Sequence, residues 1–253
     1  MHWTTSQRNL YLCELFGHNS DIMSYRELTG NIFNSRADAL VNTVNCVGAM
    51  GKGIALEFRR RFPDMFKEYE TLCEQGQLKP GQIWPYKKST PFVLNFAIKN
   101  DWHFPSRVEW IEECLVKFVE HRHRLGASSV AFPWMGAMNG GIPIDTIKKL
   151  MRQFLSEIPD LDIEVYDFDP DSPDPLFLRL QDIVSTLSPK EFAEAGHFAK
   201  RTANAIYGAM EAKPPSLYRL IEAAGLGAST ADKLYSLLID PPPTAESSLF
   251  APP

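Results

Sequence analysis

Residues 42–58 read Asn-Thr-Val-Asn-Cys-Val-Gly-Ala-Met-Gly-Lys-Gly-Ile-Ala-Leu-Glu-Phe, and they constrain the fold more than any other stretch of the chain. The β-branched run over 39–44 predicts a strand that ends in an asparagine-rich turn. Gly48, Gly51 and Gly53 follow, and apolar residues then recur at helical spacing. Strand, glycine loop and helix N-terminus together make an anion cradle. Glycines admit backbone N–H groups to the ligand, and the positive end of the helix dipole faces the charge. The spacing matches neither G-x-G-x-x-G nor G-x-x-x-x-G-K-[ST]. A turn that merely joins a strand to a helix also uses glycine, so this loop alone does not name a ligand.

The rest of the chain predicts alternating strands and helices, which is an α/β pattern. Strands are expected over 25–28, 39–44, 82–86, 92–98, 129–132 and 163–168, and helices over 54–62, 64–74, 108–124 and 144–158. Ser106-Arg107-Val108-Glu109 has the form of a capping box with Ser106 at the N-cap. Arg59, Arg60 and Arg61 fall at a helix C-terminus, where a solvated end that complements the dipole is the expected role. A second glycine-rich loop, from Pro133 to Gly141, follows another apolar strand.

Asp167 to Pro175 is crowded with turn formers and is the best candidate domain boundary. The remainder of the chain reads as helical: 176–187, then a long helix to about Ala212 opened by Ser188-Pro189-Lys190-Glu191, then 217–224 and 231–239. The expected organisation is an N-terminal extension (1–23), an α/β domain (24–170), a helical C-terminal domain (175–240) and a flexible proline-rich tail (241–253). Within the extension, residues 10–16 are apolar enough to pack as an extra element.

Composition removes several function classes. A net charge of -5 argues against a surface coated in basic residues for duplex binding, although a local basic cleft remains compatible with it. The four cysteines (Cys13, Cys46, Cys73, Cys114) are scattered without C-x-x-C spacing, which fits reduced thiols rather than a disulfide framework or a zinc site. His121 and His123 stand two apart and so on different helix faces, which disfavours a metal pair. No signal-peptide pattern and no membrane-length apolar run is read, so a cytoplasmic protein is expected.

Ligands of open α/β sheets bind beyond the carboxyl ends of the strands, and two converging anion-ready loops suit a pyrophosphate. Gly30-Asn31-Ile32, Asn42-Thr43-Val44-Asn45, Gly51-Lys52-Gly53-Ile54-Ala55 and Pro133-x-x-Gly136-x-x-Asn139-Gly140-Gly141 together resemble the macrodomain family of ADP-ribose-binding modules. Within that family, Met50-Gly51-Lys52-Gly53-Ile54-Ala55 and Asn95-Phe96-x-x-Lys99-x-x-Trp102, with Ser106 and Arg107 following, are most similar to the DarG type of DNA ADP-ribosyl glycohydrolase antitoxins. The resemblance covers roughly residues 24–170. It implies a three-layer α/β/α fold with a mixed central sheet, followed here by a small all-α segment. It also implies hydrolytic removal of ADP-ribose from a nucleobase on single-stranded DNA, with no metal or redox cofactor.

The same resemblance assigns roles. Asn31 stands where an aspartate usually accepts a hydrogen bond from the adenine amino group, with Ile32 beside it. Asn42 and Asn45 would orient the distal ribose, with a turn asparagine that satisfies its own backbone as the alternative for Asn42. The backbone of Gly51, Lys52, Gly53 and Ile54 would hold one phosphate, and that of Gly136, Ala137, Met138, Asn139 and Gly140 the other. Lys99 is the expected catalytic residue, with Asn45 facing the same bond. Its ammonium would stabilise the departing base, or its neutral amine would attack the anomeric carbon; without the flanking motif it would read as a surface lysine at a strand end.

Trp102 offers a face for a base, or packs into the core. A related human glycohydrolase pairs its lysine with an aspartate in the second loop, but position 140 is glycine here. His103 replaces a usual basic residue, and Met138 adds bulk where the family has glycine, so the modified base stays open. Two alternatives stand beside the DNA glycohydrolase: a module that binds ADP-ribose without cleaving it, and a hydrolase of protein or small-molecule ADP-ribose derivatives. The helical segment either restrains a DarT-like ADP-ribosyltransferase toxin or caps the α/β domain.

Overall fold

A computed structural model describes residues 25–240; the proposed N-terminal extension, with Cys13, and the proline-rich tail lie outside the described residues. The chain divides into two compact units at Phe168/Asp169.

The first unit is built on six strands: β1 (Tyr25–Gly30), β2 (Ala39–Val44), β3 (Ile83–Tyr86), β4 (Phe92–Ala97), β5 (Ser129–Pro133) and β6 (Asp162–Phe168). Their order across the sheet is β1-β6-β5-β2-β4-β3, all parallel except the antiparallel edge pair β3–β4. β2 and β4 are buried on both faces, as a parallel strand covered by helices on both sides must be.

On one face lie α1 (Gly53–Arg61) and α2 (Pro63–Glu74), which bury Phe58, Met65 and Tyr69 against Leu40, Val44 and Val93. On the other lie α3 (Val108–His121) and α4 (Ile144–Leu155), which cover Val41, Phe96 and Phe132. Phe96, Phe118 and Phe132 meet with centroids 5.1–6.1 Å apart, edge-on at Phe132. Each such pair adds about 1 kcal/mol beyond its buried area. The result is the expected α/β/α sandwich with a mixed sheet.

This topology positions the site. β2 is central, and β4 and β5 flank it in parallel. The connections leaving the carboxyl ends of these three strands therefore emerge side by side, where ligands of such sheets bind.

Two local expectations are corrected by the structure. Ser106 is not the N-cap of α3: Arg107 occupies that position and makes no side-chain cap bond, while Ser106 is drawn one residue out because its N–H donates to Gly140 O at 2.9 Å. The arginines at the end of α1 are not a solvated fringe. The side chains of Arg60 and Arg61 are each only 9% exposed, both within 3.5 Å of Glu57, and Arg61 lies 4.1 Å over the Phe33 ring.

The second unit is helical: α5 (Pro175–Thr186), α6 (Pro189–Ala195), α7 (Lys200–Glu211), α8 (Leu217–Ala223) and α9 (Ala228–Ile239). They enclose their own core around Phe192, Ile206, Leu220 and Leu234. Ser188 and Glu191 form a reciprocal capping box with Pro189 at the first helical position. The single long helix expected after it is broken in two, because His197 adopts a positive φ of 50° and Phe198 turns back to stack on Phe192. Among the described residues no helix is long and apolar enough to cross a membrane.

Candidate functional site

Three connections build the site: 45–53 after β2, 98–107 after β4, and 134–141 after β5. They are stitched together by backbone. Cys46 N donates to Asn100 O (3.1 Å), and Ser106 N donates to Gly140 O (2.9 Å). The first and third touch directly at Gly53, where φ is +58° and any side chain would strike the Asn139 amide. Gly140 has less room still, since a Cβ there would collide with the Gly136 backbone, which cannot swing aside. Both glycines thus answer to close approach, not to flexibility.

Lys99 joins the group from the middle connection. Its Nζ donates to Asn139 O at 2.6 Å, so the lysine reaches across to the second glycine loop. Burial pushes its pKa below the ordinary 10.5, and its bonded partner is a neutral carbonyl rather than a carboxylate that would hold the proton. An amine in that setting is more available as a base or nucleophile than an exposed one.

The first loop presents an N-terminal helix end without a side-chain cap: Lys52 is the N-cap, extended at φ -149°, and Gly51, Lys52 and Gly53 are exposed. Its first N–H groups are therefore free for an anion. Ile54 packs against the core beside Phe58, leaving its backbone for the ligand. In the second loop Gly136 and Gly140 are buried, Ala137 is half-buried, and Met138 is 75% exposed.

Asn45 sits under the first loop. Its Oδ1 accepts from Val47 N (3.0 Å) and Ala49 N (3.2 Å), and its Nδ2 donates to Ala49 O (2.5 Å). Tyr69, fully buried on α2, donates to both Asn45 O (2.9 Å) and Oδ1 (3.0 Å). With its amide committed to the loop, Asn45 shapes the cradle. Asn42 is fully buried, and its Nδ2 donates to Asn95 Oδ1 (2.9 Å) on β4, inside the sheet.

At the end of β1, Asn31 Oδ1 accepts from Phe33 N (3.1 Å), which caps a short 3₁₀ turn. Ile32 is buried, so only its backbone is available. Trp102 is not in the core: it is 54% exposed. The structure thus brings Lys99, Asn139 and Gly53 together and keeps Asn42 beneath them. Tyr69 was missed, because a tyrosine within an amphipathic helix carries no sequence signal of a second role.

A separate cavity of about 650 Å³ opens at the opposite ends of the strands, lined by Asp38, Ser128 and Asp160 among others. Its charges are already paired, Asp160 with Arg122 (2.8 Å) and Asp38 with Ser128 N (2.7 Å), so it offers no chemistry comparable to the glycine loops.

The Macro domain family model matches residues 41–151. The solved macrodomain of Thermus aquaticus DarG is 39% identical and aligns with a TM-score of 0.55 over 58% of this chain and 99% of that one. The chain belongs to the macrodomain family. The macrodomain match lies within the first unit, leaving the helical unit largely outside it. This macrodomain is also similar to the DNA ADP-ribosyl glycohydrolase of Thermus aquaticus, at 39% identity over 56% of the chain and 41% of that protein. Thermosipho africanus DarTG, solved in complex with ADP-ribose, is 27% identical with a TM-score of 0.53, over 59% of this chain and 43% of that one. The chain therefore spans about 40% of the length of the curated relatives it matches.

Proposed function

We propose that this macrodomain hydrolyses the N-glycosidic bond between ADP-ribose and a nucleobase in DNA, and so reverses the product of a DarT-like transferase in the cytoplasm. The observation that carries the reading is Lys99, held 2.6 Å from Asn139 O beside the glycine loops, with its proton affinity lowered by burial. A module that only binds ADP-ribose has no need of such an amine. Relatives named as DNA ADP-ribosyl glycohydrolases support the choice of substrate over protein or small-molecule derivatives.

In this reading the pyrophosphate lies between the helix N-terminus at Lys52–Gly53 and the backbone of 136–140. Asn31 accepts from the adenine amino group, and Asn45, which fixes the first loop, faces the bond to be broken. The neutral Lys99 amine attacks the anomeric carbon of the distal ribose. The new C–N bond forms as the bond to the base breaks, the base leaving with the bonding pair and taking the proton lost by the alkylated amine. Water then hydrolyses the lysine adduct, freeing ADP-ribose and the amine. Glycine at position 140 means that no carboxylate assists from that position.

The direct test is incubation with an ADP-ribosylated single-stranded oligonucleotide: release of ADP-ribose is expected, and binding without release would favour the non-catalytic reading.

For the helical unit we propose contact with the cognate transferase. The support is two large apolar side chains exposed on it, Leu178 (56%) and Tyr218 (46%). Full-length chain carrying Leu178→Asp and Tyr218→Asp should fail to capture the transferase that the unaltered chain captures. Equal capture would leave the unit a structural appendage.

A further inference from the structure

The turn at residues 101–104 displays two large aromatic side chains: Trp102 is 54% exposed and Phe104 66%. It is a built turn. Phe104 N donates to Asp101 O (3.3 Å), and His103 N donates to Asp101 Oδ1 (2.9 Å). The His103 ring stacks on Trp102 with centroids 3.5 Å apart at 28°, and its Nδ1 is 2.7 Å from the same carboxylate oxygen of Asp101. One face of the indole is thereby backed by a ring that is itself anchored.

Both flanks of the turn are tied to the glycine loops, through Asn100 O to Cys46 N and through Ser106 N to Gly140 O. The aromatic rings therefore stand on a fixed support at the mouth of the proposed ADP-ribose site. Val47 on the first loop (48% exposed) and Met138 on the second (75% exposed) extend the apolar rim.

The charges around this rim select its occupant. Lys99 and Arg107 flank the turn, Lys52 is exposed on the first loop, and the local carboxylate, Asp101, is already engaged by His103. Exposed aromatic faces interleaved with cations match a chain of stacking bases joined by phosphates. A duplex hides its base faces, so the matching partner is unpaired.

We propose that Trp102 and Phe104 form a stacking platform for the unpaired nucleotides adjoining the ADP-ribosylated base. This rests on the DNA glycohydrolase reading and adds to it a grip on the strand outside the ADP-ribose cleft. Phe104 is the informative position, because it lies outside the residues assigned to ADP-ribose.

The test uses the full chain and an unmodified, fluorescein-labelled oligothymidylate of about ten nucleotides, within the span of a single-strand groove. Fluorescence anisotropy should report binding that weakens with salt, about 10-fold weaker binding by Phe104→Ala, and restored binding by Phe104→Trp but not Phe104→Leu. Calorimetry with ADP-ribose should give the same affinity for all of these proteins, which establishes that the variants are folded. Equal strand binding by Phe104→Ala would overturn the platform. So would a leucine as effective as the aromatic residues, which points to a protein-binding patch, and so would equally tight binding of a hairpin duplex. The probe carries no ADP-ribose, so its binding is read independently of hydrolysis. Strand binding without release from a modified oligonucleotide would sink the glycohydrolase reading and leave the platform standing.

Discussion

Tyr69 on α2 donates its hydroxyl hydrogen to the main-chain oxygen and to Oδ1 of Asn45, at 2.9 and 3.0 Å, and so fixes the start of the first glycine loop from below. Removing that hydroxyl takes the Tyr69 donor from Asn45 O, while Oδ1 keeps Val47 N and Ala49 N, a loss of about 1 kcal/mol. Tyr69→Phe should lower the melting temperature and weaken ADP-ribose binding together. Asn45→Ala should be worse on both counts, since it also frees Val47 N, Ala49 N and Ala49 O. An Asn45→Ala protein that binds ADP-ribose normally but no longer hydrolyses it would make Asn45 catalytic rather than a positioning residue.

Gly53 tests the junction of the two loops. A side chain there meets both a positive φ and the Asn139 amide. The backbone cost alone is about 1–2 kcal/mol. Gly53→Ala is expected to lose ADP-ribose affinity by more than it loses stability, because the Asn139 side chain must swing away from the junction of the two loops. Calorimetry beside a denaturant titration measures the two losses separately.

The proton on Lys99 gives the reaction a pH signature. Burial disfavours the ammonium, so the folded pKa lies below 10.5 and the neutral amine becomes abundant at a lower pH than for an exposed lysine. Stability carries the matching sign: burying the ammonium costs stability below the folded pKa, and that cost disappears as pH rises towards 10.5. If the amine attacks carbon, the single-turnover rate rises with pH through the Lys99 titration. A rate that falls over the same range would make Lys99 an ammonium stabilising the leaving base. Once the ribose ring of the adduct opens to an iminium, cyanoborohydride should reduce it and leave the added mass on Lys99 in the first case alone.

In the helical unit, Ser188 closes a capping box with Glu191 (Ser188 N to Glu191 Oε2, 2.8 Å). Ser188→Ala should cost that unit about 1 kcal/mol. Differential scanning calorimetry should register the loss, and ADP-ribose affinity should be unchanged, because the residue lies in a unit with its own core.

Much of the sandwich was legible in the sequence. The doubly buried strands β2 and β4 announce themselves as apolar stretches interrupted only by Asn42, Thr43 and Asn95, and the amphipathic periods of α3 and α4 set the layers around them. The failures share a physical origin in non-local contact. Ser106 has the chemistry of an N-cap, but its N–H is held by Gly140, from a loop distant in sequence, and the cap is displaced to Arg107. The helix after Ser188 reads as continuous because the stacking of Phe198 on Phe192, which accompanies its break, is invisible to local propensity. Asn42, read as a ligand residue from its neighbours in the chain, also bonds Asn95 across β2 and β4, a pairing that only the fold reveals. Lys99 was legible as a strand-end lysine in a recognisable motif, whereas its bond to Asn139 required the fold.

The central claim is that Lys99 converts an ADP-ribose cradle into an enzyme. Single-turnover release of ADP-ribose from a modified single-stranded oligonucleotide, compared between the unaltered chain and Lys99→Ala, tests it most directly. The expected result is a loss of at least about 100-fold in rate, the scale of removing a positioned reacting group, with ADP-ribose affinity retained within a few-fold. A Lys99→Ala protein that releases ADP-ribose at the unaltered rate would contradict the catalytic role of Lys99.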